Sequence, residues 1–116
     1  ISDIMAREDY AQDTFLQTFD ILRDPSHVRN YRISEWQRMM HDAGFTSEIV
    51  YTFDLTLNFD TWTTRMATPT QNADMIKALF KVASNDIKQG FALPNSINGN
   101  DFNFDIPGAV IVGQSI

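Results

Sequence analysis

From Glu48 to Phe59 apolar side chains fall at every second position: Ile49, Tyr51, Phe53, Leu55, Leu57 and Phe59. Thr52, Asp54, Thr56 and Asn58 take most of the places between them. A period of two puts alternate residues on opposite faces of a strand, so this segment predicts one strand with one buried and one wetter face. A central strand of a parallel sheet would be apolar on both faces, so the pattern predicts an antiparallel or edge position. Phe102 to Val112 predicts a second strand, interrupted at Pro107-Gly108 because proline lacks a ladder donor.

Helical spacing fills most of the rest. Glu8 to Arg23 carries Phe15, Leu16, Phe19 and Leu22 on one side, with Asp9, Gln12, Asp13 and Asp20 as a solvated face, and Pro25 ends it. Ser34 as N-cap with Gln37 three residues on predicts a capping box opening a helix to Ala43, whose buried stripe is Trp36, Met39, Met40 and Ala43. Gly44 closes it, with Phe45 folding back onto Met40. Asp60 is expected to cap a short helix bearing Trp62 and Met66, broken by Pro69. Asn72 is expected to cap a helix with Met75, Ile76, Leu79, Phe80 and Ala83 at helical spacing, and Ser84 to start a turn that ends at Gly90. Pro94 to Asn100 reads as a loop.

With 116 residues the sequence predicts a single domain over 1–116, a small α+β unit whose helices pack on a two- to three-stranded, mostly antiparallel sheet. The absence of cysteine excludes disulfides, thiolate nucleophiles and zinc ribbons. The net charge is −6 and the nine basic residues are scattered, which argues against nucleic acid as a partner. No apolar run approaches the roughly 20 residues of a membrane span, and no leader pattern opens the sequence. The expectation is a cytoplasmic protein that does not engage a membrane. His27 and His41 are the only imidazoles and fit no metal-binding spacing, so no metal is expected.

The run Leu22-Arg23-Asp24-Pro25-Ser26-His27-Val28-Arg29-Asn30-Tyr31, then Ser34-Glu35-Trp36, Asp42-Ala43-Gly44-Phe45, and Asp60 to Met66 followed by Thr68-Pro69, covers much of the chain. In that order it resembles the C-terminal half of class I SAM-dependent methyltransferases, of the small-molecule type similar to ubiquinone/menaquinone-biosynthesis enzymes. The resemblance implies an α/β, Rossmann-like fold. Ile1 to Met5 would be its fifth strand, Glu48 to Phe59 its sixth, and Phe102 to Val112 its antiparallel seventh. It also implies SAM as cofactor and a small-molecule methyl acceptor for a complete enzyme, with Arg23, His27, Arg29, Tyr31, Trp62 and Met66 as substrate-pocket candidates.

The five glycines, Gly44, Gly90, Gly99, Gly108 and Gly113, never approach the G-x-G spacing of a cofactor turn. The N-terminal cofactor-binding half is therefore expected to be absent, so that the chain alone binds no cofactor, holds no catalytic residue and is not an active enzyme by itself. The alternative is a non-enzymatic binding or oligomerisation module derived from this half-fold, a homodimer formed through an exposed sheet edge or apolar face.

Overall fold

A computed structural model describes residues 1–116. Three strands, β1 (Ser2–Ile4), β2 (Phe45–Asn58) and β3 (Asn103–Ser115), form one sheet in the order β1-β3-β2. β3 is antiparallel to both neighbours, so β1 and β2 run parallel to each other. The small α+β unit, with a mostly antiparallel sheet, is the architecture the sequence predicts.

β3 runs unbroken through Pro107, contrary to the expected interruption. The carbonyl of Pro107 accepts from Met5 N at 3.0 Å, on the β1 side. Both backbone polar groups of a strand residue point the same way, so the donor that proline lacks faces the place where β1 has already ended. The long ladder to β2 loses nothing. Gly108 lies opposite Phe53, and a Cβ there would stand 2.4 Å from Phe53 Cζ. Glycine lets the Phe53 ring lie across the central strand.

β2 begins at Phe45, earlier than the alternation implies, and its register slips between Ile49 and Tyr51. Val50 is the extra residue of a bulge. Tyr51, Phe53, Leu55 and Leu57 therefore share a face with Val110, Gly108, Ile106 and Phe104, while Ile49 pairs with Ile111 on the opposite face. The expected buried face is also only partly covered: Tyr51 is 56% and Leu55 43% exposed.

On the Ile111 face lies helix α2 (Ile33–Asp42), where Ile33, Trp36 and Met40 pack on the buried Met5, Ala109 and Ile111. Ser34 is not its cap. The N-cap is Arg32, whose backbone N–H donates to Glu35 Oε1 at 3.0 Å. The expected stripe is corrected as well, since Met39 and Ala43 are exposed and the contacting residues are spaced 33, 36 and 40. Gly44 closes the helix at φ +91°, and Met40 and Phe45 both lie against Gly113.

The other helices gather at the carboxyl end of β1 and β2. They are α1 (Tyr10–Arg23), α3 (Phe59–Arg65), α4 (Thr70–Val82) and α5 (Asn85–Gly90). Their apolar faces bury one core with Phe104 and Ile106, which pair with Leu57 and Leu55 near the end of β2. Phe19 is fully buried there, its ring 5.3–6.0 Å from those of Phe15, Trp62, Phe80, Phe91 and Phe104.

Three further helix starts differ from expectation. Asp9 begins α1 by accepting from Gln12 N, so that helix starts at Tyr10. Asn58, not Asp60, caps α3 by accepting from Thr61 N at 3.1 Å. Pro69 precedes α4, and Asn72 instead donates from Nδ2 to Leu22 O at 2.9 Å, tying α4 to α1. Ser84 caps α5 as expected. In the α4 stripe Ala73, Ile76 and Phe80 are buried, whereas Met75 is exposed.

Candidate functional site

α1 determines the site. Asp13, Leu16, Asp20 and Arg23 follow one another at helical spacing on the side that faces the rest of the chain, and both carboxylates are buried. The solvated acidic face expected of Asp9, Asp13 and Asp20 is thus wrong for Asp13 and Asp20, at 4% and 9% exposure. A buried carboxylate needs partners, and each has found its own.

Asp13 accepts from Gln17 Nε2 at 2.9 Å, from Arg29 at 3.0 Å and from Arg32 at 2.6 Å. Burial pushes its carboxyl up, but these three donors outweigh burial and hold it below the ordinary carboxylate range. Arg29 also reaches Glu35 Oε1 at 2.9 Å. Through Nη2, Arg29 therefore clasps α1 to α2. Tyr31 lies beside it, edge-on to Trp36 at 5.6 Å.

Between α1 and the Leu55 face of the sheet lies a cavity of about 250 Å³. Leu55, Leu57, Ile106 and the largely buried Trp62 give it an apolar floor, and Asp20, Arg23, His27 and Asn30 a polar wall. Arg23 Nε donates to Trp62 O at 3.0 Å, and its guanidinium lies 4.7 Å above the Trp62 ring. Burial lowers the Arg23 pKa, and the Asp20 carboxylate opposes that shift. Asp20 accepts from Asn30 Nδ2 at 2.5 Å through Oδ2. Burial pushes its carboxyl up, against the pull of Asn30, His27 and Arg23. His27 Nε2 lies 3.3 Å from Gln17 Oε1.

Of the six candidates the sequence offers, the structure brings Arg23, His27 and Trp62 together here. Arg29 and Tyr31 lie towards α2, and Met66 stands exposed at the end of α3. Sequence reasoning missed Asp20, Asn30, Leu55 and Leu57. The period through Leu16 and Phe19 carried the signal for Asp20, because position 20 falls on that same stripe. It also missed Arg7, which lines a groove of about 540 Å³ at the end of β1. That guanidinium is committed to Gln12, Gly90 O and Asp54 and lies over the Phe91 ring.

A SAM cradle needs a glycine turn opening a helix. The Cβ positions of Gly90, Gly108 and Gly113 are filled by side chains, Gly44 and Gly99 stand in turns, and none of the five opens a helix. These residues do not build that cradle. No group of three or more His, Asp or Glu side chains converges as metal ligands. No helix is long and apolar enough to cross a membrane.

No family model matches the chain. It is 37% identical over 95 residues to the uncharacterized Escherichia coli protein YafE, covering 82% of this chain and 46% of that one. Against the uncharacterized methyltransferase YcgJ of Bacillus subtilis it is 31% identical over 111 residues, covering 96% and 44%. The crystal structure of YcgJ superposes with a TM-score of 0.90 at 30% identity, covering 97% of this chain and 48% of that one. BH2331 of Bacillus halodurans, a proposed methyltransferase, gives 0.88 at 27% identity, covering 97% and 52%. The chain spans about half the length of the proteins it matches. Sequence and superposition together identify it as the C-terminal part of the methyltransferase fold, a partial methyltransferase domain.

Proposed function

We propose that this chain forms the acceptor side of a SAM-dependent methyltransferase that modifies a small molecule, with the cofactor held by an N-terminal half. The observation carrying this reading is the half-apolar, half-polar cavity at the carboxyl end of the sheet, where α/β folds bind their ligands. SAM, when bound, supplies an electrophilic methyl group. What this chain contributes is placement: Leu55, Leu57 and Trp62 exclude water from one side of the acceptor, while Asp20, Arg23 and His27 orient its polar atoms. Holding reactants at attack distance accounts for much of the acceleration of such transfers. Arg29, Tyr31 and Met66 are assigned supporting places outside the cavity.

The test is turnover of labelled SAM by the protein in its full natural length against an acceptor panel, beside the 116-residue chain. Turnover by the full-length protein alone is expected, and robust turnover by the chain alone refutes the division of labour. Leu55→Ala, at a half-exposed position of the cavity floor, should lower kcat/KM at least tenfold while leaving S-adenosylhomocysteine binding unchanged.

A second reading, a homodimeric module, draws on the uncovered sheet face. Tyr51, Leu55 and Val112 are each 43–56% exposed, and the outer edges of β1 and β2 are unpaired. Sedimentation at high concentration tests it, since a monomer removes its support.

A further inference from the structure

The loop from Pro94 to Asn100 carries a reactive dipeptide. Asparagine is a thermolabile residue, and of the eight in the chain only Asn98 is followed by glycine. Its side chain is lost when the backbone nitrogen of the next residue attacks the amide carbon, so that nitrogen must be free and uncrowded. Gly99 meets both conditions. Its N–H donates to no group of the chain, and it stands in an open turn, at φ +73° with nothing within 4 Å of where a Cβ would be. Asn98 itself is exposed, and its amide makes one bond within the chain, from Nδ2 to the exposed Ser96 Oγ at 3.2 Å. The other asparagines are held differently. Asn30 donates to Asp20, Asn58 caps α3 and Asn72 donates to Leu22 O. Asn85 opens α5 and Asn103 opens β3, so the nitrogens that follow them lie inside an element, and Asn100 is half-buried. Asn95 shares the loop's exposure, but Ser96 places a side chain beside the attacking nitrogen.

We propose that Asn98 is a site of spontaneous deamidation in the folded protein, independent of what the cavity binds. The Gly99 nitrogen gives its proton to hydroxide and bonds to Asn98 Cγ. The Cγ–Nδ2 bond then breaks, and the nitrogen takes a proton from water and leaves as ammonia. Water opens the resulting succinimide at either carbonyl, giving aspartate or isoaspartate, and nothing is oxidised or reduced. The two products differ in consequence. Aspartate adds a charge at an exposed loop position, where change is well tolerated. Isoaspartate routes the main chain through its own side chain and lengthens it by one carbon. That extra carbon lies next to Ile97, which is 6% exposed and belongs to the larger core with Phe91 and Leu93. A surface reaction thus acts on the residue that anchors the loop leading into β3.

The experiment ages the protein in its full natural length at 37 °C, at pH 7 and pH 9, both folded and in concentrated urea. Conversion at each asparagine is read by peptide mass spectrometry, with fragmentation that separates isoaspartate from aspartate. The expected result is conversion at Asn98 at least tenfold faster than at any other asparagine of residues 1–116, and faster at pH 9 than at pH 7 because the nitrogen must lose its proton. The rate in the folded protein should lie within about threefold of that in urea, since the loop leaves the Gly99 nitrogen free. Asn98→Gln should abolish the reaction at this position, because glutamine must close a larger ring. Aged protein should melt at least about 3 °C below fresh protein. Asn98→Asp, which carries the charge without the extra carbon, should melt within about 1 °C of fresh protein. A folded rate tenfold below the rate in urea, or faster conversion at Asn95, overturns the site. An aged protein that melts with Asn98→Asp overturns the action through Ile97.

Discussion

Phe19→Ala tests whether the helices at the carboxyl end and the sheet form one cooperative unit. Phe19 is fully buried, with five aromatic rings within 6.0 Å of its own, all of them edge-to-face. Truncating a buried phenylalanine costs about 3–5 kcal/mol, lost aromatic pairs included, and the cost is largest where the gap cannot close. Rings anchored on five different segments cannot all move inwards, so the expected loss lies at the upper end, about 4–5 kcal/mol. At an unfolding entropy of roughly 2.1 cal/mol/K per residue, this corresponds to a fall in Tm of about 15–20 °C for a chain of this length. Urea unfolding followed by the two indole signals separates the cores, since Trp62 belongs to the larger and Trp36 packs on the smaller. β3 contributes Phe104 and Ile106 to one core and Ala109 and Ile111 to the other, so both signals should share one shifted midpoint. A loss below about 2 kcal/mol refutes the packing argument. A Trp62 transition that moves while that of Trp36 stays refutes the cooperative one.

Asp20→Asn should leave the protein at least as stable at neutral pH. Burial raises the carboxyl's pKa in the folded state, so the folded form binds the proton more tightly and loses stability as pH rises through that raised value. The variant's advantage should therefore close below the ordinary carboxylate range, and a constant difference from pH 3 to 7 contradicts the assignment. Asp13 has the opposite sign: its lowered pKa gives stability present above the ordinary range and lost on acidification, and Asp13→Asn should flatten that acid limb in a pH series of urea midpoints. Gly108→Ala should cost about 1–3 kcal/mol, because its Cβ would stand 2.4 Å from Phe53 Cζ, and Phe53→Leu in the same chain should recover part of the loss. Asn58→Ala should cost about 1 kcal/mol, where Asp60→Ala costs little, in denaturant melts.

Element identity was legible because each element repeats its signal many times. Six apolar residues at period two announce β2, and the pattern survives the loss of Phe59, which the structure gives to α3. Boundaries and faces rest on single residues, and there the sequence misleads. The Val50 bulge inserts one residue into one strand only, so the alternation reads on smoothly past it while Ile49 changes sides. Ser34, Asp60 and Asn72 each have good capping chemistry, yet at all three helices the chain had already turned, at Arg32, Asn58 and Pro69. Capping propensity says which side chain can accept a bond, whereas tertiary docking decides which backbone donors are left to offer one. Pro107 was misread for the same reason: whether a missing donor matters depends on which neighbour lies on that side.

The site was half legible, and the illegible half has a physical pattern. Arg23, His27 and Trp62 could be singled out because their chemistry is conspicuous wherever they stand. Asp20 could not, since an aspartate on a helix among Asp9 and Asp13 is read as solvated unless its partners are known. Those partners, Asn30 and His27, lie beyond the end of α1 and reach it only after the chain reverses at Asp24 to Ser26, where Asp24 Oδ1 accepts from the Ser26 N–H and hydroxyl. The same reversal brings Arg29 onto Asp13. One turn thus divides two similar carboxylates. Asp13 receives three donors, two of them cationic, and is held ionised as a structural clasp. Asp20 receives one neutral donor and an unfilled cavity. Two aspartates seven residues apart on one helix face thereby acquire opposite pKa shifts, Asp13 lowered by its cationic donors and Asp20 raised by burial.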